Sequence, residues 1–260
     1  MPAQISVQLY TLREQMKAGN HAAVIKRLGE IGYAGIECAG FYGLKPTEIR
    51  KLAQDHGMVV SSNHCEMPTA ANLQQIIDTH QALGTSYAVS GFWIPEFESI
   101  DAIRRAADRI NEVVEPLEQA GISLLLHNHW FEFARIDGRI AYQHLVEYAP
   151  KVKFEIDTYW ASNFGAEVPA KMVAMFRDRT HLLHLKDGDF VRDQPMVACG
   201  KGKQDFPAIV AAADPKLVKW AIVELDACAT DMVQAVEDSY HYLVGKQLAV
   251  GRMPARSAAR

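Results

Sequence analysis

Gly121 to Phe133 reads GISLLLHNHWFEF. Leu124, Leu125 and Leu126 form an apolar run of strand length, and polarity then switches at His127, Asn128 and His129, with Glu132 after two aromatics. Side chains alternate along a strand, so His127 and His129 share one face and Asn128 takes the other. An apolar strand ending in two same-side imidazoles and a carboxylate looks like one that delivers ligands to a site. Taken alone, it is equally a strand with a polar exit into a loop, so the other strand ends have to decide.

Upstream, Ile5 to Tyr10 alternates as a strand with Ser6, Gln8 and Tyr10 on one face. A helix is expected over His21 to Ile31, where Ala22, Ile25, Leu28 and Ile31 recur at helical spacing. Ala34 to Ala39 is a second strand, followed by the loop Gly40-Phe41-Tyr42-Gly43 and a helix opened by Pro46 that runs to about His56. Met58 to Ser62 is a third strand ending in Asn63-His64, with a helix from about Ala70 to Leu83 after it. Ser86 to Ser90 is the fourth, and Ser99 is placed to cap a long helix to about Gln119, closed by Gly121.

Downstream of the opening stretch, the fifth strand, a helix is expected over Ile140 to Tyr148. Strand six is Val152 to Thr158, before a helix from Pro169 to Arg177. Strand seven, His181 to Lys186, leads into a loop from Asp187 to Lys203 and a helix over Phe206 to Ala213. Strand eight is Trp220 to Leu225, and a last helix starts at Thr230-Asp231 and ends near Val244-Gly245. Eight strands, each followed by a helix, with starts roughly every 25–40 residues, predict an α/β protein with a single (β/α)8 TIM barrel over residues 1–250 and a flexible basic tail over 251–260. A doubly wound open sheet would need a glycine-rich phosphate loop after strand one, and Tyr10-Thr11-Leu12-Arg13-Glu14 has none.

Composition agrees with this picture. The 260 residues are 49% hydrophobic and 22% charged, enough for one large core. Net charge is −4 and no basic stripe is present outside the tail, which argues against nucleic acid and anionic membranes as partners. No apolar run approaches the ~20 residues that span a bilayer. There is no signal-peptide pattern at the start, and Cys38, Cys65, Cys199 and Cys228 have neither pair nor zinc-finger spacing. A cytoplasmic protein with reduced thiols is expected.

Barrel enzymes carry their chemistry at the C-terminal ends of the strands. Strand five ends in His127, His129 and Glu132; strand six carries Glu155 and Asp157 on one face; strand seven carries His184 and Lys186; strand eight carries Glu224. His64, Glu37 and Gln8 come from strands three, two and one. Asp157, His184 and Glu224, with an imidazole beside them, offer a mixed O/N shell for a divalent metal: Mn²⁺, Mg²⁺, Co²⁺, Fe²⁺ or Zn²⁺. So many ionisable groups in one barrel mouth need a cation or a substrate to offset their desolvation. Glu155, one layer deeper, is equally a structural partner for a lysine or arginine. Trp93, Trp130 and Trp160 are rim or core aromatics that can also face a sugar.

Several motifs carry a resemblance: Ser6-Val7-Gln8-Leu9-Tyr10-Thr11-Leu12-Arg13, Gly32-Tyr33-x-Gly35-Ile36-Glu37, His127-Asn128-His129-x-Phe131-Glu132, Asp157-x-x-Trp160, His184-Leu185-Lys186-Asp187 and Glu224. Together they resemble the xylose-isomerase-like TIM barrels, in the branch called sugar phosphate isomerase/epimerase, and are similar to inosose dehydratase and the ketose 3-epimerases. The resemblance implies a divalent metal, often manganese, held by His127, Asp157, His184 and Glu224, and a homo-oligomer is common among such proteins. The ketose epimerases carry a glutamate where His127 stands and a histidine where Trp160 stands. The dehydratase branch, with consecutive histidines on strand five, is closer there.

The function expected is isomerisation or epimerisation of a keto- or aldo-sugar, or a related polyol, through an enediolate. Glu132, Glu224 or His129 would be the base, and Lys186 or His64 would meet the developing oxyanion. Glu37, Gln8, His64 and Trp160 would contact the substrate. Loss of a β-hydroxyl from the same intermediate would make the protein a lyase of inosose or 3-keto-glycoside type. A metal-dependent sugar-binding protein without turnover is the reading from outside catalysis.

Overall fold

A computed structural model describes residues 2–252. Among these residues eight parallel strands close into a barrel in sequence order. They are β1 Gln4–Gln8, β2 Gly35–Ala39, β3 Val59–His64, β4 Tyr87–Ser90, β5 Ser123–His127, β6 Lys153–Asp157, β7 Thr180–Leu185 and β8 Trp220–Val223. The barrel shuts where β1 pairs with β8, Val7 opposite Val223. The connecting helices are α1 His21–Ile31, α2 Pro46–Asp55, α3 Leu73–Leu83, α4 Ile100–Gln119, α5 Ala141–Tyr148, α6 Pro169–Met175, α7 Phe206–Ala212 and α8 Met232–Gly245. The Ser99 hydroxyl accepts the Ala102 N–H at 3.2 Å, capping α4 as expected.

Alternation along the strands sorts the core into two parts. Ile5, Val7, Ile36, Leu124, Leu126, Phe154 and Ile156 belong to the large cluster between sheet and helices. Ala34, Val89, Leu125, Leu182, Trp220 and Ile222 form a separate apolar plug inside the barrel. Gly35 fits that plug because a Cβ there would stand 2.9 Å from the Trp220 ring and 3.2 Å from Ser6 Oγ. The ionisable side chains lie one step further along the same inward faces, so the plug forms the dry base beneath the site.

Several expected boundaries move. β1 stops at Gln8, and Leu9–Leu12 turns into a 3₁₀ helix, so Tyr10 leaves the Ser6–Gln8 face and is 41% exposed. β8 ends at Val223, although the Glu224 N–H still reaches Leu185 O at 3.3 Å. A small antiparallel hairpin, Arg135–Ile136 with Arg139–Ile140, was not expected. Its turn, Asp137 at φ 48° and Gly138 at φ 77°, has the positive dihedrals of a tight hairpin. Bulges at Ser61 in β3 and His181 in β7 break the registers with β2 and β6. Of the expected tail, Gly251 and Arg252 are seated on the fold, with the Arg252 N–H donating to Gly32 O at 2.8 Å. Residues 253–260 of that tail lie outside the described residues. The four cysteines are free. Among the described residues no helix is long and apolar enough to cross a membrane.

Candidate metal centre and active site

At the C-terminal end of the barrel a cavity of about 620 Å³ opens, with Gln8, His64, His127, His129, Lys186 and Glu224 on its wall and floor. β5 ends at His127, and Asn128, fully buried, then ties β5 to β6: its Oδ1 accepts the Asp157 N–H at 2.9 Å and its Nδ2 donates to Asp157 O at 3.1 Å. This clamp fixes Asp157 where the ladder ends. Trp160 N–H donates to Asp157 Oδ1 at 2.8 Å, which leaves Oδ2 for the site.

His184 lies at the centre. Its Nδ1 is 2.7 Å from Glu224 Oε2 and 4.0 Å from Asp157 Oδ2. Its Nε2 is 2.8 Å from Glu37 Oε1 and 3.1 Å from Glu155 Oε2. Glu37 is held from below, accepting from Gln8 Nε2 at 2.9 Å and Ser62 Oγ at 2.5 Å. His64 Nε2 approaches Glu155 at 2.8 Å and Glu37 at 3.1 Å. Lys186 Nζ is fully buried among Asp157 Oδ2 at 3.1 Å, Glu224 Oε2 at 2.8 Å and Asp226 Oδ2 at 2.8 Å.

Burial and charge compete here. Burial raises the Glu37 and Glu224 carboxyls, but the cationic neighbours, His64 and His184 for the first and Lys186 and His184 for the second, hold both well below the ordinary carboxylate range. For Asp157 burial wins and pushes it up to about 6. Burial also lowers Lys186, yet Asp157, Asp226 and Glu224 raise it well above its ordinary value, so the ammonium keeps its proton. Burial keeps His127 neutral, the form in which imidazole binds a metal.

The structure brings most of the expected residues together, but not all on the cavity side. His127, Asp157, His184 and Glu224 each offer one ligand atom, all within 4.8 Å of one another, and so do His64, His127, Glu155 and His184. Asp157 Oδ2, His127 Nδ1 and Glu155 Oε1 are buried with no hydrogen-bond partner among the described residues. Such orphaned atoms in a mixed N/O cluster fit a divalent cation.

Glu132, expected as a base, is fully buried in the 3₁₀ turn Phe131–Phe133 and lies off the cavity wall. Its Oε2 accepts the His129 N–H at 2.9 Å, and its Oε1 lies 3.9 Å from His129 Nδ1. The chain leaves the strand after His127, so alternation no longer aims residue 132. Trp160 and Glu37, expected against substrate, also sit off the cavity wall: Trp160 lies beside Lys186, whose Nζ is 5.5 Å from its ring centroid, and Glu37 lies under His184. Two residues escaped the sequence reading. Alternation puts Asn128 on the opposite face and says nothing of its clamp, and Asp226 follows the end of strand eight, where the pattern Glu224-x-Asp226 is the signal for it.

A closed barrel of this topology, with ionisable side chains gathered at the strand ends, places the protein among the (β/α)8 TIM barrels. The sequence from residue 25 to 242 matches the family described as xylose isomerase-like TIM barrel, and the chain belongs to that family. Comparison with curated proteins gave no match. Among solved structures it is similar to a sugar phosphate isomerase/epimerase from Parabacteroides distasonis, with 24% identity, 96% of each chain covered and a TM-score of 0.79. It is also similar to the IOLI protein with a binding zinc atom, at 14% identity, 94% of this chain and 98% of that one, TM-score 0.71. D-allulose 3-epimerase from Methylomonas sp. matches at 15% identity, 94% and 98% coverage, TM-score 0.69. These likenesses establish the fold.

Proposed function

We propose that the protein is a divalent-metal-dependent isomerase or epimerase of a small sugar or polyol, working in the cytoplasm. The observation that carries this is the set His127, Asp157, His184 and Glu224, whose ligand atoms all lie within 4.8 Å of one another, with His127 and Glu224 on the cavity lining. These four would hold the ion, Mn²⁺ first among hard candidates. The ion would polarise a substrate carbonyl as a Lewis acid.

The remaining steps belong to the chain. His129, on the cavity wall, takes the proton from the carbon next to the carbonyl, and Glu132 behind it fixes its backbone by accepting the His129 N–H at 2.9 Å and sets a carboxylate 3.9 Å from the ring. Lys186 faces the oxygen where negative charge develops and acts as a fixed charge, since it holds its proton too tightly to give it up. His64 and Gln8 bind hydroxyls from the opposite wall. The proton returned by His129 to the neighbouring carbon gives isomerisation; a proton delivered by His64 to the other face of the same carbon gives the epimer, with the abstracted proton left on His129.

One observation favours a lyase as the second reading. The β5 wall presents imidazoles to the cavity where a two-carboxylate epimerase needs a glutamate. The deciding experiment is elemental analysis followed by C–H deuterium exchange over a panel of ketoses and inososes. Exchange without an ultraviolet-absorbing product supports the first reading, and an absorbing enone supports the second. Sugar binding with no exchange overturns both in favour of a non-catalytic binding protein.

A further inference from the structure

We infer that this chain has a second cation seat, formed by His64, His127, Glu155 and His184, which takes a borderline-soft ion such as Zn²⁺ or Co²⁺ and cannot be filled together with the His127–Asp157–His184–Glu224 seat. The inference rests on the metal-dependent reading above. Glu155 Oε2 lies 2.8 Å from His64 Nε2, 3.3 Å from His127 Nδ1 and 3.1 Å from His184 Nε2. Three imidazole nitrogens therefore surround one carboxylate oxygen. His127 Nδ1 and Glu155 Oε1 lack hydrogen-bond partners among the described residues, and both side chains are more than nine-tenths buried.

The two seats differ in chemistry. Lys186 already compensates Asp157 and Glu224, at 3.1 and 2.8 Å. Among the described residues Glu155 has no lysine or arginine partner; its ionic partners are the three histidines. Three nitrogens and one oxygen suit zinc or cobalt, whereas two nitrogens and two carboxylates accommodate manganese or magnesium.

His184 makes the seats exclusive. A neutral imidazole binds a metal through one nitrogen and donates its other N–H to an orienting group. With Nε2 on the inner ion, Nδ1–H donates to Glu224 Oε2 at 2.7 Å. With Nδ1 on the outer ion, Nε2–H donates to Glu37 Oε1 at 2.8 Å. Each state has its own carboxylate waiting, so the identity of the ion selects the nitrogen.

The test uses the full chain stripped of metal. Co²⁺ is titrated by its visible absorption and Mn²⁺ by its electron paramagnetic resonance, in the wild type and in His64→Ala, Glu155→Gln and Asp157→Asn. His64→Ala and Glu155→Gln should weaken Co²⁺ by more than about 100-fold, beyond the ~10–100-fold lost with a merely orienting residue, and Mn²⁺ by less than about 10-fold. Asp157→Asn should do the reverse. X-ray absorption on the Co²⁺-loaded wild type should count three imidazoles, a readout that needs no variant to fold. Two imidazoles, or Co²⁺ affinity that follows Asp157 and ignores His64, overturns the second seat while leaving the proposed function standing. A wild type that binds neither ion overturns both.

Discussion

Lys186 Nζ lies 2.8 Å from Glu224 Oε2, the same oxygen that His184 Nδ1 approaches at 2.7 Å. One carboxylate oxygen is thus shared between a fixed ammonium and an imidazole, and any ion bound there meets the ammonium first. Lys186→Met should destabilise the metal-free protein by about 3–5 kcal/mol, because Asp157, Glu224 and Asp226 lose their buried partner. Mn²⁺ affinity should rise, read by calorimetric titration, while turnover falls by at least ~10²-fold as the oxyanion loses its charge partner. A variant that binds Mn²⁺ more weakly than wild type would contradict this placement of the ammonium.

Asp157 supplies to the outer set an oxygen whose ionic partner is the Lys186 ammonium, at 3.1 Å. In Asp157→Asn and in Glu224→Gln, bound Mn²⁺ should drop toward zero in elemental analysis, with cooperative thermal unfolding retained. Full retention of Mn²⁺ in both variants would remove these residues from the ligand set.

His129 and Glu132 should separate by kinetics. His129→Asn should lower kcat by ~10²–10⁴-fold, the range for a lost general base, with metal content unchanged. Glu132→Gln keeps the hydrogen bond to the His129 N–H but loses the charge beside Nδ1. Its kcat should fall less, and the acidic limb of the pH–rate profile, where a general base takes up its proton, should move. Equal losses in the two variants, with an unmoved profile, would mean that Glu132 acts on the substrate itself.

His80 offers a pH dependence away from the centre. It is fully buried in α3, with Nδ1 donating to Ile76 O at 2.7 Å and Nε2 facing Asn63 Nδ2 at 3.5 Å. Burial holds it below its ordinary 6.5, outweighing the backbone contacts of Ile76 and Asn63 that favour the protonated ring. The unfolded chain takes up this proton as pH falls through 6.5, and the folded chain resists it until its own lower value. The stabilisation is therefore complete above 6.5 and is lost as pH falls through the folded value. The Tm of the wild type should drop more between about pH 7 and 5 than that of His80→Gln. Parallel curves would refute it.

Gly35→Ala places a methyl 2.9 Å from the Trp220 ring in the apolar plug. Overpacking of this kind costs about 1–3 kcal/mol, readable by chemical denaturation.

The inward phase of the strands was legible because a barrel strand between plug and helices separates its two faces by residue type. Ile156 against Asp157 and Leu185 against His184 are read correctly from alternation alone. Alternation stops where the ladder stops, which is why it does not aim Glu132, whereas Tyr10 still reaches the cavity beside Gln8 from its 3₁₀ turn. The bulges at Ser61 and His181 belong to the partner's register and leave no mark in either strand's letters. The Asp137-Gly138 hairpin was different: its turn signal stood in the sequence between two Arg-Ile pairs and was passed over. The difference between Glu155 and Asp157 is three-dimensional: both share a face, and the layers are told apart by their partners, His64 and His127 for Glu155 and Lys186 for Asp157.

Directly after Lys186, the Asp187 carboxylate accepts four backbone N–H groups, from Gly188, Gly200, Gly202 and Gln204, at 2.8–3.0 Å. A Cβ on Gly202 would collide with that carboxylate at 2.3 Å. A single side chain thus folds a long excursion back on its own root. Residues 191–195, all exposed, are therefore the natural place to graft new sequence while Lys186 stays in register.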